Sequence, residues 1–152
     1  MENQSSVAPA VQDARGGASD AMRTSRHWPL KLQLAPVDDV MLFGADLLIC
    51  GDCTAFASKG FLDTVGKGKA MLIGCPKFED PRLLKAKMIE LLQTARPKSC
   101  SVARMEKPCC KGLVTICVEA ARECEVPFAV DETVVYCSGD LEHTGACAPL
   151  RA

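Results

Sequence analysis

Four short apolar runs, separated by segments with helical periodicity, constrain this chain more than any other feature. They are 45–49 (ADLLI), 70–73 (AMLI), 100–105 (CSVARM) and 133–137 (TVVYC), each strand-like in length and content. Between the first two, Ala57, Phe61 and Val65 fall four apart with Phe56 beside them, which predicts a short helix over 54–65 that Gly66 and Gly68 break. After the second run, Asp80–Pro81 is a strong helix start, with Asp as cap and Pro at the first position. Leu84, Met88, Leu91, Leu92 and Ala95 then form one apolar stripe. Arg96 and Lys98 suit its carboxyl end, and Pro97 stops it. A second long helix follows Pro108, with Leu113, Ile116, Cys117, Ala120, Ala121 and Cys124 on one face and Pro127 at its end. Alternation of strand and helix predicts a small three-layer α/β domain with a mostly parallel central sheet of about four strands. The alternation Leu30, Leu32, Leu34 adds a short edge strand over 30–37. Residues 1–26, rich in Ser, Ala and Gly and without periodicity, read as a flexible tail. The domain is expected over 27–145, with 146–152 as a C-terminal tail and Gly139–Asp140 as the turn after the last strand.

The chain of 152 residues is long enough for one domain with a real core. A net charge of −1 and 48% hydrophobic residues argue against disorder and against nucleic acid as a partner. No run is long enough to span a membrane, and residues 1–29 contain no apolar signal region. Ten cysteines among long apolar runs do not resemble a small secreted scaffold. The expected compartment is a reducing cytoplasm, with thiols free or bound to metal. No GxGxxG or GxxxxGK[ST] occurs, so no nucleotide cofactor is expected. Charge is uneven: residues 55–111 carry twelve Lys or Arg against five Asp or Glu, and residues 112–152 carry two against seven. The basic stretch could draw an acidic redox partner or an anionic ligand, or be an ordinary solvated surface.

The cysteines carry the functional signal. Cys53 (in GDC), Cys75 (in IGCPK) and the pair Cys109–Cys110 (in KPCCKG) all follow strand-like runs. The carboxyl ends of strands in an open α/β sheet line one crevice, so thiols distant in sequence would meet there. Thiolates suit zinc and the iron of iron–sulfur clusters. Gly51 and Gly74 would allow close backbone approach, and Pro76 and Pro108 would stiffen the turns. Cys109 and Cys110 would lie in the first turn of a helix, where free N–H groups stabilise anionic sulfur and depress thiol pKa values. Arg104, Lys107 and Lys111 add positive charge. A metal or cluster site, reactive thiols of a redox or transfer enzyme, and plain buried cysteines are the three readings open to this pattern. Cys50 forms a CxxC with Cys53 but ends a strand, so packing is expected over redox chemistry. Cys117, Cys124, Cys100 and Cys137 are also expected to pack, and Cys147 to be a surface thiol. His27 and His143 are remote candidates for a fourth ligand. Asp52, Lys77 and Glu106 lie near the expected mouth, Asp52 either as a proton donor to a substrate or as a helix cap.

The segments SRHWPLKLQLAPV (25–37), GADLLICGDCTAFA (44–57), KGKAMLIGCPKFED (67–80) and VARMEKPCCKGL (102–113) together resemble the carboxyl-terminal, Rossmann-like domain of ferredoxin-like iron–sulfur binding proteins of anaerobic bacteria and archaea. The resemblance spans roughly residues 25–140 and is carried by GDCTAFA, IGCPK and RMEKPCC in combination. It implies an iron–sulfur cluster, expected to be of the 4Fe-4S type, with Cys53, Cys75 and Cys109 as the first three ligands and Cys110 as the fourth or as a thiol packed beside an open iron. It also implies a small residue such as Ala where Cys50 stands, in keeping with packing there. Members often carry an amino-terminal ferredoxin module that this sequence lacks, so a separate ferredoxin or another redox protein is the expected partner; a homodimer is compatible with the sequence. The functional expectation is electron transfer. The alternatives are a cluster-dependent enzyme with an open iron (sulfur transfer or small-molecule activation) and a structural zinc-binding or partner-docking domain.

Overall fold

The structure, a computed structural model, describes residues 28–147; the expected tail over 1–26, His27 and the last five residues lie outside them. Strand β1 (Asp46–Gly51) leads through two single-turn helices, α1 (Thr54–Ala57) and α2 (Phe61–Thr64), to β2 (Ala70–Gly74). Helix α3 (Pro81–Ala95), strand β3 (Ser99–Met105), helix α4 (Pro108–Glu123) and strands β4 (Val130–Val135) and β5 (Leu141–Cys147) follow. The sheet order is β2-β1-β3-β4-β5. All pairings are parallel except β4 with β5. The chain steps one way from β1 to β2 and then back past β1 to β3, so with right-handed crossovers α1–α2 and α3–α4 fall on opposite faces.

The two hydrophobic clusters follow that division. Leu47 and Ile49 of β1, with Leu72, Cys100, Val102 and Val130, pack against Leu84, Met88, Leu91, Leu113, Cys117 and Ala120 of α3 and α4. Leu48 and Cys50 face the other way, with Met71, Ala103, Met105, Val135 and Phe61 of α2. All five stripe residues expected on α3 are buried, and Asp80 caps the helix by accepting from the Arg82 N–H at 2.9 Å.

Three local expectations are corrected. The segment 30–37 is not a strand: it makes a single parallel bridge, Lys31 to Ile73, and then turns, with Leu32 wholly buried and Leu34 exposed. The helix expected over 54–65 is interrupted at Ser58–Gly60, where Gly60 takes φ 78°. The cause is tertiary: the Ser58 hydroxyl donates to the Gly139 carbonyl at 2.7 Å, tying the segment to the β4–β5 turn. The polar stretch after Gly139 is a fifth strand rather than a tail, reaching Cys147 two residues past the expected boundary. As an edge strand it is largely exposed, so it lacks the apolar alternation that marks a strand in sequence.

Helix α4 ends with Glu125 at φ 50°. The Val126 N–H bonds to the Ala121 carbonyl at 3.2 Å and the Glu125 N–H to the Arg122 carbonyl at 3.1 Å, the pattern in which glycine is normally selected at the left-handed position. Replacing Glu125 with Gly should raise stability by about 1 kcal/mol, read as a higher urea midpoint at unchanged slope; an unchanged midpoint would show that the conformation costs nothing here.

Candidate functional site

The ends of β2, β1 and β3 lie side by side, with Gly51 of β1 opposite Gly74 of β2 and Cys50 opposite Ala103 of β3. The chain reverses direction of growth at β1, so the crevice expected at the switch point of such a sheet lies at this edge. Cys53 follows β1, Cys75 follows β2, and Cys109 and Cys110 stand in the first turn of α4 after β3.

Two of these cysteines open the same turn. The Cys53 carbonyl accepts from the N–H groups of Phe56 (3.2 Å) and Ala57 (3.0 Å). The Cys75 carbonyl accepts from those of Phe78 (3.1 Å) and Glu79 (2.8 Å). Thr54, fully buried, donates its hydroxyl to the Gly51 carbonyl at 2.8 Å and fixes the first turn to its strand. Lys107 is the N-cap residue of α4 and Pro108 its first residue; no side chain caps this end.

Contacts bring the three loops together. A β-carbon on Gly51 would lie 2.6 Å from the Cys110 sulfur, so the Cys110 thiol occupies the space that the missing side chain leaves. A β-carbon on Gly112 of α4 would touch the Pro76 ring at 3.5 Å, which sets the turn after β2 against the same helix turn. Cys53 and Cys109 are exposed, Cys75 is half-buried, and Cys110 is buried. Burial pushes the Cys110 thiol pKa up; a backbone hydrogen bond at Met105 opposes this, and the nearby Cys109, Cys75 and Cys53 add to it. The four cysteines thus share one electrostatic neighbourhood. Among the described residues, however, no group of three or more His, Cys, Asp or Glu side chains is arranged to hold a metal ion.

A charged clamp, not anticipated from the sequence, ties two of the loops. The Lys31 ammonium donates to Asp52 Oδ2 at 2.7 Å and to Glu79 Oε2 at 2.6 Å. The same Glu79 oxygen accepts from the Cys75 N–H at 2.8 Å. Desolvation works against the Lys31 charge, but the hydrogen bonds to Asp52 and Glu79 prevail and hold its pKa above the ordinary lysine value. Asp52 Oδ1 is buried without a hydrogen-bond partner. Glu79 stands four residues after Cys75 and reaches its N–H within one local turn. Lys31 was not legible in the sequence, because only the bridge to Ile73 delivers it.

The remaining expected residues separate clearly. Cys50 is buried in β1, and burial pushes its thiol up to about 12. Cys100 and Cys117 are buried in the α3–α4 core. Cys124 is half-buried, its thiol 3.8 Å from the Ile89 carbonyl. Cys137 does not pack in a strand as expected; it is exposed beyond the end of β4, its N–H donated to Glu106 Oε1 at 3.0 Å. That contact is the main cause holding the Glu106 carboxyl below its usual range. Cys147, expected at the surface, is half-buried in β5 beside Glu132. Lys77 is exposed. His143 lies in β5, lining a cavity of about 310 Å³ with Lys69, Ser99 and Ser101, on the sheet face away from α3 and α4.

Comparison with known proteins agrees with this architecture. The Rossmann-like domain family matches residues 40–149. The chain belongs to that family. It is also similar to an "Uncharacterized protein" of Archaeoglobus fulgidus, 28% identical over 121 residues that cover 80% of this chain and 85% of that protein. No solved structure matches. The Rossmann-like part of the sequence resemblance therefore stands as a finding.

Two outcomes test the geometry. After metal is stripped from the protein, iodoacetamide at about pH 8 should modify the exposed Cys53, Cys109 and Cys137 and leave Cys50 intact. In Gly51→Ala, Cys110 should join the reactive set, since its thiol must leave the strand end; peptide mass mapping reads both. Lys31→Met should lower stability by about 1 kcal/mol and speed hydrogen exchange at the Cys75 amide; exchange as slow as in the parent would remove the clamp from the account of this edge.

Proposed function

We propose that this protein binds an iron–sulfur cluster, of the 4Fe-4S type, at the carboxyl edge of its sheet, and that it serves in electron transfer. The observation that carries the reading is that Cys53, Cys75 and the Cys109–Cys110 pair follow the ends of three adjacent strands, with the Cys110 thiol against the end of β1. The donor set fits the group: all four are thiols, the ligand class such clusters take. Cys53 and Cys109 are exposed and Cys75 is half-buried, and their side chains would have to turn toward a common centre to ligate it. A polynuclear cluster with one thiolate per iron needs a wider set than a single ion does, which favours it over one zinc. When bound, the cluster would supply a reversible one-electron couple.

The chain's own residues would set the conditions. Cys53, Cys75 and Cys109 are the first three ligands, and Cys110 the fourth or a thiol beside an open iron. Lys31 would hold the Cys53 and Cys75 loops at one spacing through Asp52 and Glu79. The amino end of α4, with Lys107 and Lys111 beside it, would offset the negative charge of a bound cluster, although burial pushes the Cys110 thiol itself up, against the depressed value expected from its place in the first turn. Cys50, protonated and packed against the second core cluster, would stay outside. Free thiols in this number suit a reducing compartment such as the cytoplasm. A second reading, a cluster-dependent enzyme with an open iron, draws on one observation: Asp52 Oδ1 lacks a partner, and a substrate O–H or N–H would satisfy it.

Anaerobic purification, followed by iron, zinc and sulfide analysis and paramagnetic resonance, tests the proposal. A brown protein with iron and sulfide in matching amounts is expected. Cys53→Ser, Cys75→Ser and Cys109→Ser should each lose the chromophore, while Cys117→Ser should keep it and lose stability. Lys31→Met should weaken iron retention about tenfold, as removal of an outer-shell partner commonly does. A colourless folded protein containing zinc, or containing no metal and one rapidly alkylated cysteine, would sink the cluster reading.

A further inference from the structure

Phe56 and Phe78 are 92% and 87% exposed, more than any other large apolar side chain among the described residues. Both are the third residue after a cysteine of the carboxyl edge, and both close the same turn by donating their N–H to that cysteine's carbonyl. The duplication places one uncovered phenyl ring beside Cys53 and another beside Cys75. The fold buries Phe61 completely, only five residues after Phe56. Burial of a phenylalanine stabilises a fold substantially, and that gain is absent twice at one edge.

Positive charge surrounds the pair. Lys59, Lys77 and Lys111 are exposed and have no carboxylate partner among the described residues. The carboxylates of the same edge lie against cations of their own: Asp52 and Glu79 share Lys31, and Glu106 lies 3.8 Å from Lys107. What the edge offers is therefore two apolar anchors among unpaired cations. Protein interfaces are built this way, with aromatic anchors at the centre and a charged rim that steers encounter.

We propose that this edge docks an acidic redox protein, with Phe56 and Phe78 entering an apolar centre on the partner and Lys59, Lys77 and Lys111 facing its acidic rim. The docking surface rests on the electron-transfer reading, since it would set a partner directly over the four cysteines. Rings and lysines together also suit an anionic bilayer. Here, however, they come from separate turns and from helices of one turn or more, not from one amphipathic helix, which favours a folded partner.

The test titrates an acidic two-cluster ferredoxin into the full chain, purified anaerobically, by calorimetry at about 50 mM and about 300 mM salt. Binding is expected at the lower salt and weaker binding at the higher. The double variant Phe56→Ser with Phe78→Ser should bind at least about tenfold more weakly, with iron content and thermal midpoint unchanged. Lys77→Glu with Lys111→Glu should weaken binding at low salt and flatten its salt dependence. No binding of the parent chain at low salt, or equal binding by the double phenylalanine variant, would overturn the proposal. So would loss of self-association in sedimentation, or loss of binding to phosphatidylglycerol vesicles, as the main effect of removing the rings. Iron and sulfide present without ferredoxin binding would sink the docking surface alone. Ring-dependent ferredoxin binding by a chain that holds no iron would sink the cluster alone.

Discussion

Strand β1 is buried on both faces and paired on both edges, and the rest of the molecule is arranged around that fact. Leu47 and Ile49 point into the α3–α4 core, and Leu48 and Cys50 into the opposite cluster. Burial of each of the three aliphatic side chains stabilises the fold by about 1.5–3 kcal/mol. The neighbours of β1 on both sides are parallel, and helices cover both faces, as is usual for a strand so enclosed. Its own end, at Gly51, is then surrounded by the ends of β2 and β3. The position of the cysteines follows from that placement.

Electrostatics at this edge complete the geometry. Three loops carrying thiols and acids would repel one another if all were ionised. Lys31 reduces this between two of them by sitting between Asp52 and Glu79, and Glu79 in turn holds the Cys75 amide. Cys110 instead takes the space left by the side chain that Gly51 lacks, close to the β1 backbone. Charge and shape thus treat the four thiols differently. Cys110 is fixed by packing, while Cys53 and Cys109 face solvent.

Much of this was legible in the chain because short-range physics enforces it. Asp80 before Pro81 could only begin a helix, and the spacing of Leu84, Met88, Leu91, Leu92 and Ala95 could only make one stripe. The failures occurred where the local signal was weak or was overridden. Strand β5 is largely exposed and shows no apolar alternation, so its pattern hardly distinguishes it from a tail. Ser58–Gly60 interrupts a helical pattern because a hydrogen bond to Gly139, far along the chain, outweighs the local preference. Cys137 looked like a strand residue because the apolar run reaches it; the strand ends at Val135, and the thiol is turned out to solvent.

The sequence alone determined the class of fold, the two long helices, and the fact that thiols follow strand after strand, since these depend on periodicity and on neighbours a few residues apart. Only the tertiary structure decided which thiol is enclosed, that Lys31 joins the loops of Cys53 and Cys75, and that two phenylalanines stand uncovered beside them. Those outcomes depend on which strand ends lie together, and strand order is set by the packing of both sheet faces at once, a condition no local stretch of sequence contains.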